Sequence, residues 1–155
     1  MDIVELIKSS GVVGAGGAGF PTHVKAGSKV EFVIANGAEC EPLLHKDYEL
    51  MVHYPEEVVA GLKLLMESTG ARHGIIGIKE KNKKAVAAIE KAIDDPRVTV
   101  HLLGDFYTSG DEYVLVYEAT GRLIPPQGIP LDVGIVVNNV ETMYNIARAA
   151  AGTPV

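Results

Sequence analysis

The sequence contains a single cysteine, Cys40, among its 155 residues. One cysteine cannot form a disulfide within the chain, and it cannot ligate an all-cysteine iron–sulfur cluster. We therefore expect no iron–sulfur cluster in this chain and assign none of its residues to a metal.

Positive charge is also scarce. The chain carries 14 lysines and arginines against 20 acidic residues, which gives a net charge of -6 at pH 7. A nucleic-acid partner requires a basic face that meets the phosphate backbone, so we expect no such partner. Acidity does not exclude a phosphate-bearing cofactor, because backbone N–H groups bind phosphate without any side-chain charge.

Targeting segments and long apolar runs are missing as well. The first residues, Met1 to Leu6, lack the basic region and apolar core of a signal peptide. No stretch approaches the roughly 18 apolar residues that span a bilayer. We expect a cytoplasmic protein with at most peripheral membrane association through partners. Because residues 151–155 are typical of the start of a linker, we expect a single domain over 1–155 that forms the N-terminal part of a longer chain.

Short apolar segments rich in β-branched residues alternate with helical patterns along the chain. Strands are predicted at 30–35, 74–78, 98–103 and 134–137, and helices at 3–9, 22–25, 55–68, 82–94, 112–119 and 141–151. This alternation favours an α/β fold, with a mostly parallel sheet of about four strands flanked by helices.

A glycine-rich segment precedes the first predicted strand. Its four glycines, Gly14, Gly16, Gly17 and Gly19, let the backbone approach a planar or phosphorylated ligand closely. The spacing matches Gly-x-Gly-x-x-Gly, but a Rossmann fingerprint follows a strand, and no Gly-Lys-Ser/Thr of a P-loop is present. A glycine-rich turn that packs a helix against a strand is an equally good interpretation of the pattern alone.

Polar clusters follow three of the predicted strands, at residues 36–42, 107–112 and 137–142. Ligands of α/β sheets bind at the carboxyl ends of strands, so we expect these clusters and the glycine loop to form one polar pocket. Simpler interpretations remain for each cluster: a solvated loop for the first, a helix N-terminus for Asp111 and Glu112, and an N-cap for Asn139.

Together these motifs resemble the FMN-binding domain shared by the flavoprotein subunit of respiratory complex I and the C subunit of the Rnf electron-transport complex. Residues 14–22 resemble its Gly-x-Gly-Gly-Ala-Gly-Phe-Pro-Thr signature, with the family's lysine at Lys25. Residues 36–42 are similar to the Rnf-type second motif, 107–112 to the Tyr-x-x-Gly-Glu-Glu segment, and 137–142 match Val-Asn-Asn-Val-Glu-Thr without change. The motifs are nearer to the Rnf side, which includes cobalamin-reductase-like and proline-reductase-associated proteins.

The resemblance implies a flavoprotein that takes a hydride from NADH onto FMN near Phe20 and passes electrons to an iron–sulfur domain or subunit outside this chain. It implies that Glu39, Glu41 and Glu112 lie at the reaction centre, where they orient the nicotinamide or shape the field around the flavin. The cofactor-binding residues that it implies are Gly14, Gly16, Gly17, Gly19, Phe20, Lys25, Asn36, Glu39, Tyr107, Asp111, Glu112, Asn138, Asn139 and Thr142.

Two positions depart from the pattern of complex I. Ala15 stands where complex I carries arginine, and Ala38 where it carries an acid. A flavin- or nucleotide-binding scaffold without NADH oxidation, serving assembly of a larger complex, therefore stays open. A third interpretation is that the isolated chain binds nothing tightly because a neighbour completes the pocket, although the intact glycine loop and paired asparagines favour flavin binding.

Overall fold

A four-stranded parallel sheet organises the computed structural model, which describes residues 2–16 and 18–155. The strands are β1 (Phe32–Gly37), β2 (His73–Lys79), β3 (Val98–Leu103) and β4 (Ile135–Asn139). They lie in the order β3-β2-β1-β4, and each neighbouring pair is parallel. The predicted fold class, a parallel α/β sheet of about four strands flanked by helices, is confirmed.

The strand order creates a crevice beside β1. The chain moves outward from β1 to β2 and β3, and then returns to place β4 on the opposite side of β1. In open parallel sheets such a reversal leaves a ligand-sized crevice outside the carboxyl ends of the two strands. Asn36 of β1 is in register with Asn139 of β4, and Ala35 with Asn138, so asparagines of both strands lie at this reversal.

Helices cover both faces of the sheet. They are α1 (Ile3–Ser9), α2 (Thr22–Ala26), α3 (Lys46–His53), α4 (Pro55–Thr69), α5 (Lys83–Ala92), α6 (Glu112–Thr120) and α7 (Val140–Ala150), with a 3-10 helix at Pro130–Val133. Within residues 2–16 and 18–155, no helix combines the length and the apolar character needed to cross a bilayer.

Alternation along each strand divides the apolar residues between two cores. Val33 and Ala35 face the larger core, which contains the buried side chains of α4 and α7, whereas Ile34 faces a smaller core with Leu115 and Val116 of α6. The larger core anchors α4 and α7 against the centre of the sheet, and α7 starts directly after the asparagines of β4. Packing therefore fixes where those asparagines lie.

The structure differs from the sequence-based expectation at α3 and at two strand ends. Helix α3 was not predicted, because its only buried residues are Asp47 and Met51, which give no apolar period. Strands β1 and β4 each run two residues further than predicted and include the asparagines that were assigned to the following turns. Parallel neighbours supply the ladder hydrogen bonds that let these polar residues continue a strand, which composition alone does not reveal.

Candidate cofactor-binding site

A cavity of about 680 Å³ opens at the carboxyl ends of β1 and β4. This volume lies within the range of roughly 300–1,000 Å³ found for small-molecule and cofactor sites. The structure brings most of the predicted site residues to its wall: Gly14, Gly16, Gly19, Phe20, Lys25, Asn36, Glu39, Glu41, Asp111, Glu112, Asn138 and Asn139.

Three predicted residues are not placed on this wall. Gly17 lies outside the described residues. Tyr107 is 73% exposed and lines a neighbouring depression. It follows β3, which is the edge strand, and the chain comes back to β1 at Gly110, whose carbonyl accepts from Asn36. Thr142 is fully buried behind the glycine loop. Tyr107 would need to move to touch a ligand in the cavity, whereas Thr142 contacts the glycine loop from behind.

The glycine loop is held at its base and open at its tip. Val13 pairs with Pro21 in an isolated antiparallel bridge, and the Gly14 N–H donates to the Phe20 carbonyl at 2.8 Å. The Ala15 N–H donates to Thr142 Oγ1 at 3.0 Å, which ties the loop to α7. Beyond this point, no described residue accepts from the N–H groups of Gly16, Ala18 or Gly19. These donors are free to meet an anionic or carbonyl group of a ligand.

Replacing Thr142 by valine should weaken FMN binding about tenfold, because the near-isosteric change removes the acceptor for the Ala15 N–H and frees the loop. Loss of a buried hydrogen bond leaves its donor unsatisfied, at a cost of roughly 1–3 kcal/mol. Flavin fluorescence titration measures the affinity. Thr69→Val is the matched control, because the buried Thr69 hydroxyl donates, within the described part of the chain, to carbonyls of its own helix alone. Equal affinities for both variants would contradict this role.

Both ends of the Asn36 side-chain amide are hydrogen-bonded within the protein. Its Nδ2 donates to the Gly110 carbonyl at 2.8 Å, and its Oδ1 accepts from the Ala38 N–H at 3.0 Å. The Gly110 N–H in turn donates to Cys40 Sγ at 3.3 Å. These bonds join the loop after β1 to the loop before α6, so Asn36 builds the cavity wall as well as lining it.

Glu39 is engaged in the same manner. Its carboxylate accepts from the N–H groups of Asp47 and Tyr48 at 3.1 and 3.2 Å, at the start of α3. An acid at a helix N-terminus satisfies unpaired N–H groups and complements the helix dipole. This long-range cap explains why α3 forms without a strong apolar period. Of the acids that line the cavity, Glu41 and Glu112 are those whose carboxylates have no hydrogen bond to a described residue.

Asp47 is a buried acid at the back of the cavity that was not predicted as a site residue. Its carboxylate accepts from Asn139 Nδ2 and from Lys46 Nζ, both at 2.8 Å. Burial opposes the charge of Lys46, but hydrogen bonds to Asp47 and Glu141 outweigh it and raise the pKa of Lys46. Asn139 also caps α7 by accepting from the Glu141 N–H at 2.8 Å, so its N-cap role and its place at the cavity coexist.

Further cavity residues were not predicted to bind the cofactor: Ala15, Ala18, Cys40, Leu44, Lys46, Asp47, Gly110 and Val137. Several of them adjoin predicted site residues in the sequence and could have been added to the prediction for that reason. Lys46 and Asp47 follow the second motif at the family's spacing, a signal that could have indicated them. For Leu44 the sequence carries no comparable signal.

Asn138 differs from the other asparagines because half of its amide has no partner. The residue is 5% exposed, and its Oδ1 accepts from Lys25 Nζ at 3.1 Å. Among the described residues, Asn138 Nδ2 and Thr22 Oγ1 are the buried side-chain polar atoms without a hydrogen bond. An unsatisfied buried donor costs roughly 1–3 kcal/mol. Asn138 also lines the cavity, so this buried amide lies within the cavity wall.

Two lysines line the cavity; Lys46 is ion-paired with Asp47 and Glu141, whereas Lys25 contacts uncharged groups. Its Nζ donates to the Val137 carbonyl at 2.7 Å as well as to Asn138, and it lies 5.2 Å from the centre of the Phe20 ring. Burial lowers the pKa of Lys25, and the negative charge of Glu112 partly offsets this effect. Free backbone donors, an orphan amide, an ammonium and an aromatic rim suit a ligand with a planar ring and a phosphate, as FMN has.

The chain is similar to several known proteins. Residues 7–148 match the model of the Nuo51 FMN-binding domain family. The chain is 47% identical over 148 residues to the cobalamin reductase PduS of Salmonella typhimurium, covering 96% of this chain and 33% of that protein. It is 44% identical over 152 residues to the C subunit of the Na⁺-translocating ferredoxin:NAD⁺ oxidoreductase complex of Acetobacterium woodii, covering 95% of this chain and 34% of that protein.

A solved structure shares the fold as well. An NAD⁺-reducing [NiFe]-hydrogenase in its H₂-reduced state superposes with a TM-score of 0.82 at 28% identity, over 96% of this chain and 30% of that chain. The present chain thus spans about a third of the length of the curated relatives it matches. The predicted resemblance to the Rnf C subunit and to cobalamin reductases is confirmed, and the chain belongs to the Nuo51 FMN-binding domain family.

Proposed function

We propose that this domain holds FMN in the 680 Å³ cavity, oxidises NADH there, and delivers electrons to an iron–sulfur domain or subunit outside this chain. The observation that carries the proposal is the ligand-sized cavity at the strand-order reversal, which is lined by Asn138 and by a glycine loop whose tip N–H groups have no acceptor among the described residues. A strand-order reversal with backbone donors beside it supports a bound nucleotide.

The protein's own groups have separable roles in this proposal. The tip of the glycine loop lets a planar ring approach the backbone, and its N–H groups donate to ligand oxygens. Phe20, 43% exposed at the rim, offers a flat apolar surface to an incoming nicotinamide. Glu41 and Glu112 are available to accept hydrogen bonds from the nicotinamide carboxamide and so orient it. FMN, when bound, would supply the redox chemistry by taking a hydride and releasing electrons singly.

The electron-accepting partner is inferred from the relatives. One relative is a cobalamin reductase, and another belongs to a ferredoxin:NAD⁺ oxidoreductase complex. We propose that this domain likewise works beside an iron–sulfur partner, in the cytoplasm or peripherally at a membrane complex.

The proposal predicts that the purified protein, incubated with FMN, retains a flavin absorbance band that bleaches when NADH is added without oxygen. Riboflavin is the matched control ligand, because it has the same ring without the phosphate. We expect riboflavin to bind at least about tenfold more weakly, since charge-assisted hydrogen bonds to the phosphate contribute roughly 1.5–3 kcal/mol.

The outcomes separate the competing interpretations. A protein that takes up no FMN at micromolar concentration would contradict flavin binding in the isolated domain. Uptake without bleaching would favour the second candidate, a flavin-binding scaffold that assembles a larger complex, which the alanines at positions 15 and 38 suggest.

A further inference from the structure

Lys25 constrains which end of the Asn138 amide faces the cavity. A lysine ammonium has three hydrogen-bond donors and no acceptor, whereas an asparagine amide has a donor end and an acceptor end. Lys25 Nζ lies 3.1 Å from the Asn138 side chain, so only the acceptor end, Oδ1, can face it. Nδ2 must then point away from Lys25, and it is the buried end of the amide that has no hydrogen bond to a described residue.

The ammonium itself is held in place from several sides. A second donor is fixed by the Val137 carbonyl at 2.7 Å, and the Phe20 ring covers the group at 5.2 Å. Lys25 projects from α2, which is anchored by the fully buried Thr22 and Ala26. Because these contacts fix the side chain, its positive charge stays at the cavity wall and does not swing into solvent.

We propose that Lys25 is a positioning residue that fixes the orientation of the Asn138 amide in the cavity wall and raises the midpoint potential of the bound cofactor by its charge. This inference rests on the proposed function. Reduction adds two electrons and one proton to neutral flavin, so the reduced ring carries one more negative charge than the oxidised ring. A fixed cation at the wall of a partly desolvated cavity stabilises that added charge. Glu112, which lines the same cavity, acts in the opposite direction.

The test compares Lys25→Met, Lys25→Arg and Asn138→Ala with a matched control, Lys29→Met. Lys29 is exposed, and its one side-chain hydrogen bond among the described residues is to the Ser68 carbonyl at 3.4 Å, so its loss changes the net charge equally but away from the cavity. We expect Lys25→Met to weaken FMN binding about tenfold, the size of one charge-assisted hydrogen bond, and to lower the midpoint potential. Lys25→Arg should retain most of both properties, and Lys29→Met should change neither.

The double variant separates the two effects of Lys25. If Lys25 acts on affinity through Asn138, Lys25→Met should cost clearly less affinity in the Asn138→Ala background than in the wild type. The fall in midpoint potential should persist in that background, because it comes from the charge. Additive losses of affinity would overturn the positioning role, and an unchanged potential would overturn the electrostatic one.

A measurement on the protein without flavin keeps the inference distinct from the proposed function. The side-chain amide resonance of Asn138, identified by its loss in Asn138→Ala, should shift in Lys25→Met and stay in place in Lys29→Met. An unchanged resonance in Lys25→Met would overturn the positioning role whether or not FMN binds. Failure of the wild-type protein to bind FMN, together with the expected shift, would instead overturn the proposed function and the effect on potential.

Discussion

Replacing Gly16 by valine is expected to abolish FMN retention, lowering the affinity about 100-fold, while the fold without flavin stays intact. A Cβ at Gly16 would meet only Asn139 Cβ, at 3.8 Å, which is ordinary van der Waals contact. The folded chain therefore has room for a Cβ at this position. That room is the cavity itself, since Gly16 lines it beside Asn139. Overpacking a closely fitted site costs roughly 1–3 kcal/mol, and each 1.4 kcal/mol is a factor of ten in affinity.

Gly16→Ala should give an intermediate loss, so the series reports steric volume at one point of the wall. Flavin fluorescence titration measures the affinity, and thermal unfolding without FMN measures the fold. Ala60→Val, on the exposed side of α4, also introduces a valine but far from the cavity, and it should leave FMN binding unchanged. Unaltered affinity in Gly16→Val would mean that the ligand does not approach this part of the loop.

Gly61→Ala is expected to cause the largest loss of stability, about 3 kcal/mol or more in the free energy of unfolding. In the interior of an exposed helix this change is favourable by about 1 kcal/mol. Here a Cβ would lie 1.8 Å from the carbonyl oxygen of Met143 and 2.5 Å from its carbonyl carbon. These atoms belong to the backbone of α7, so no rotamer change can relieve the overlap, and α4 and α7 must separate.

Chemical denaturation measures this loss, and FMN affinity should fall with it because α7 carries the Asn139 cap and the Thr142 hydroxyl. Ala60→Gly, one residue earlier on the exposed side of α4, is the control and should cost only about 1 kcal/mol. If Gly61→Ala does not fold at all, its recovery only in insoluble form, beside a soluble Ala60→Gly, leads to the same conclusion. A Gly61→Ala protein as stable as the wild type would show that the two helices do not cross this closely.

The glycine motif was ambiguous in the sequence, and the sheet explains why it resembles a dinucleotide fingerprint without being one. The strand order β3-β2-β1-β4 contains the reversal at which doubly wound folds bind their ligands. In a Rossmann fold the glycine turn follows the first strand. Here it precedes β1, and the bond from the Ala15 N–H to Thr142 of α7 fixes it over the same crevice. The glycine turn thus reaches the crevice at the reversal by a different connection.

The sequence by itself determined the fold class and the family. Apolar periods indicated the alternating strands and helices, and the motifs at residues 14–22 and 137–142 identified the FMN-binding domain. Both signals are local, because they depend on residue types at short spacing. Local signals also placed α6, whose N-cap Asp111 accepts from the N–H groups of Tyr113 and Val114.

Only the tertiary structure decided which polar groups remain free for a ligand. Asn36 and Asn138 are the same residue type at neighbouring strand ends. Both ends of the Asn36 amide are hydrogen-bonded to nearby loops, whereas the Asn138 amide keeps a buried donor without a partner among the described residues. Tyr107 belongs to a motif but lies in a neighbouring depression, whereas Asp47 belongs to no periodic pattern and lies at the back of the cavity. The physical reason is that hydrogen-bond satisfaction depends on partners tens of residues away, which only the folded chain brings within 3 Å.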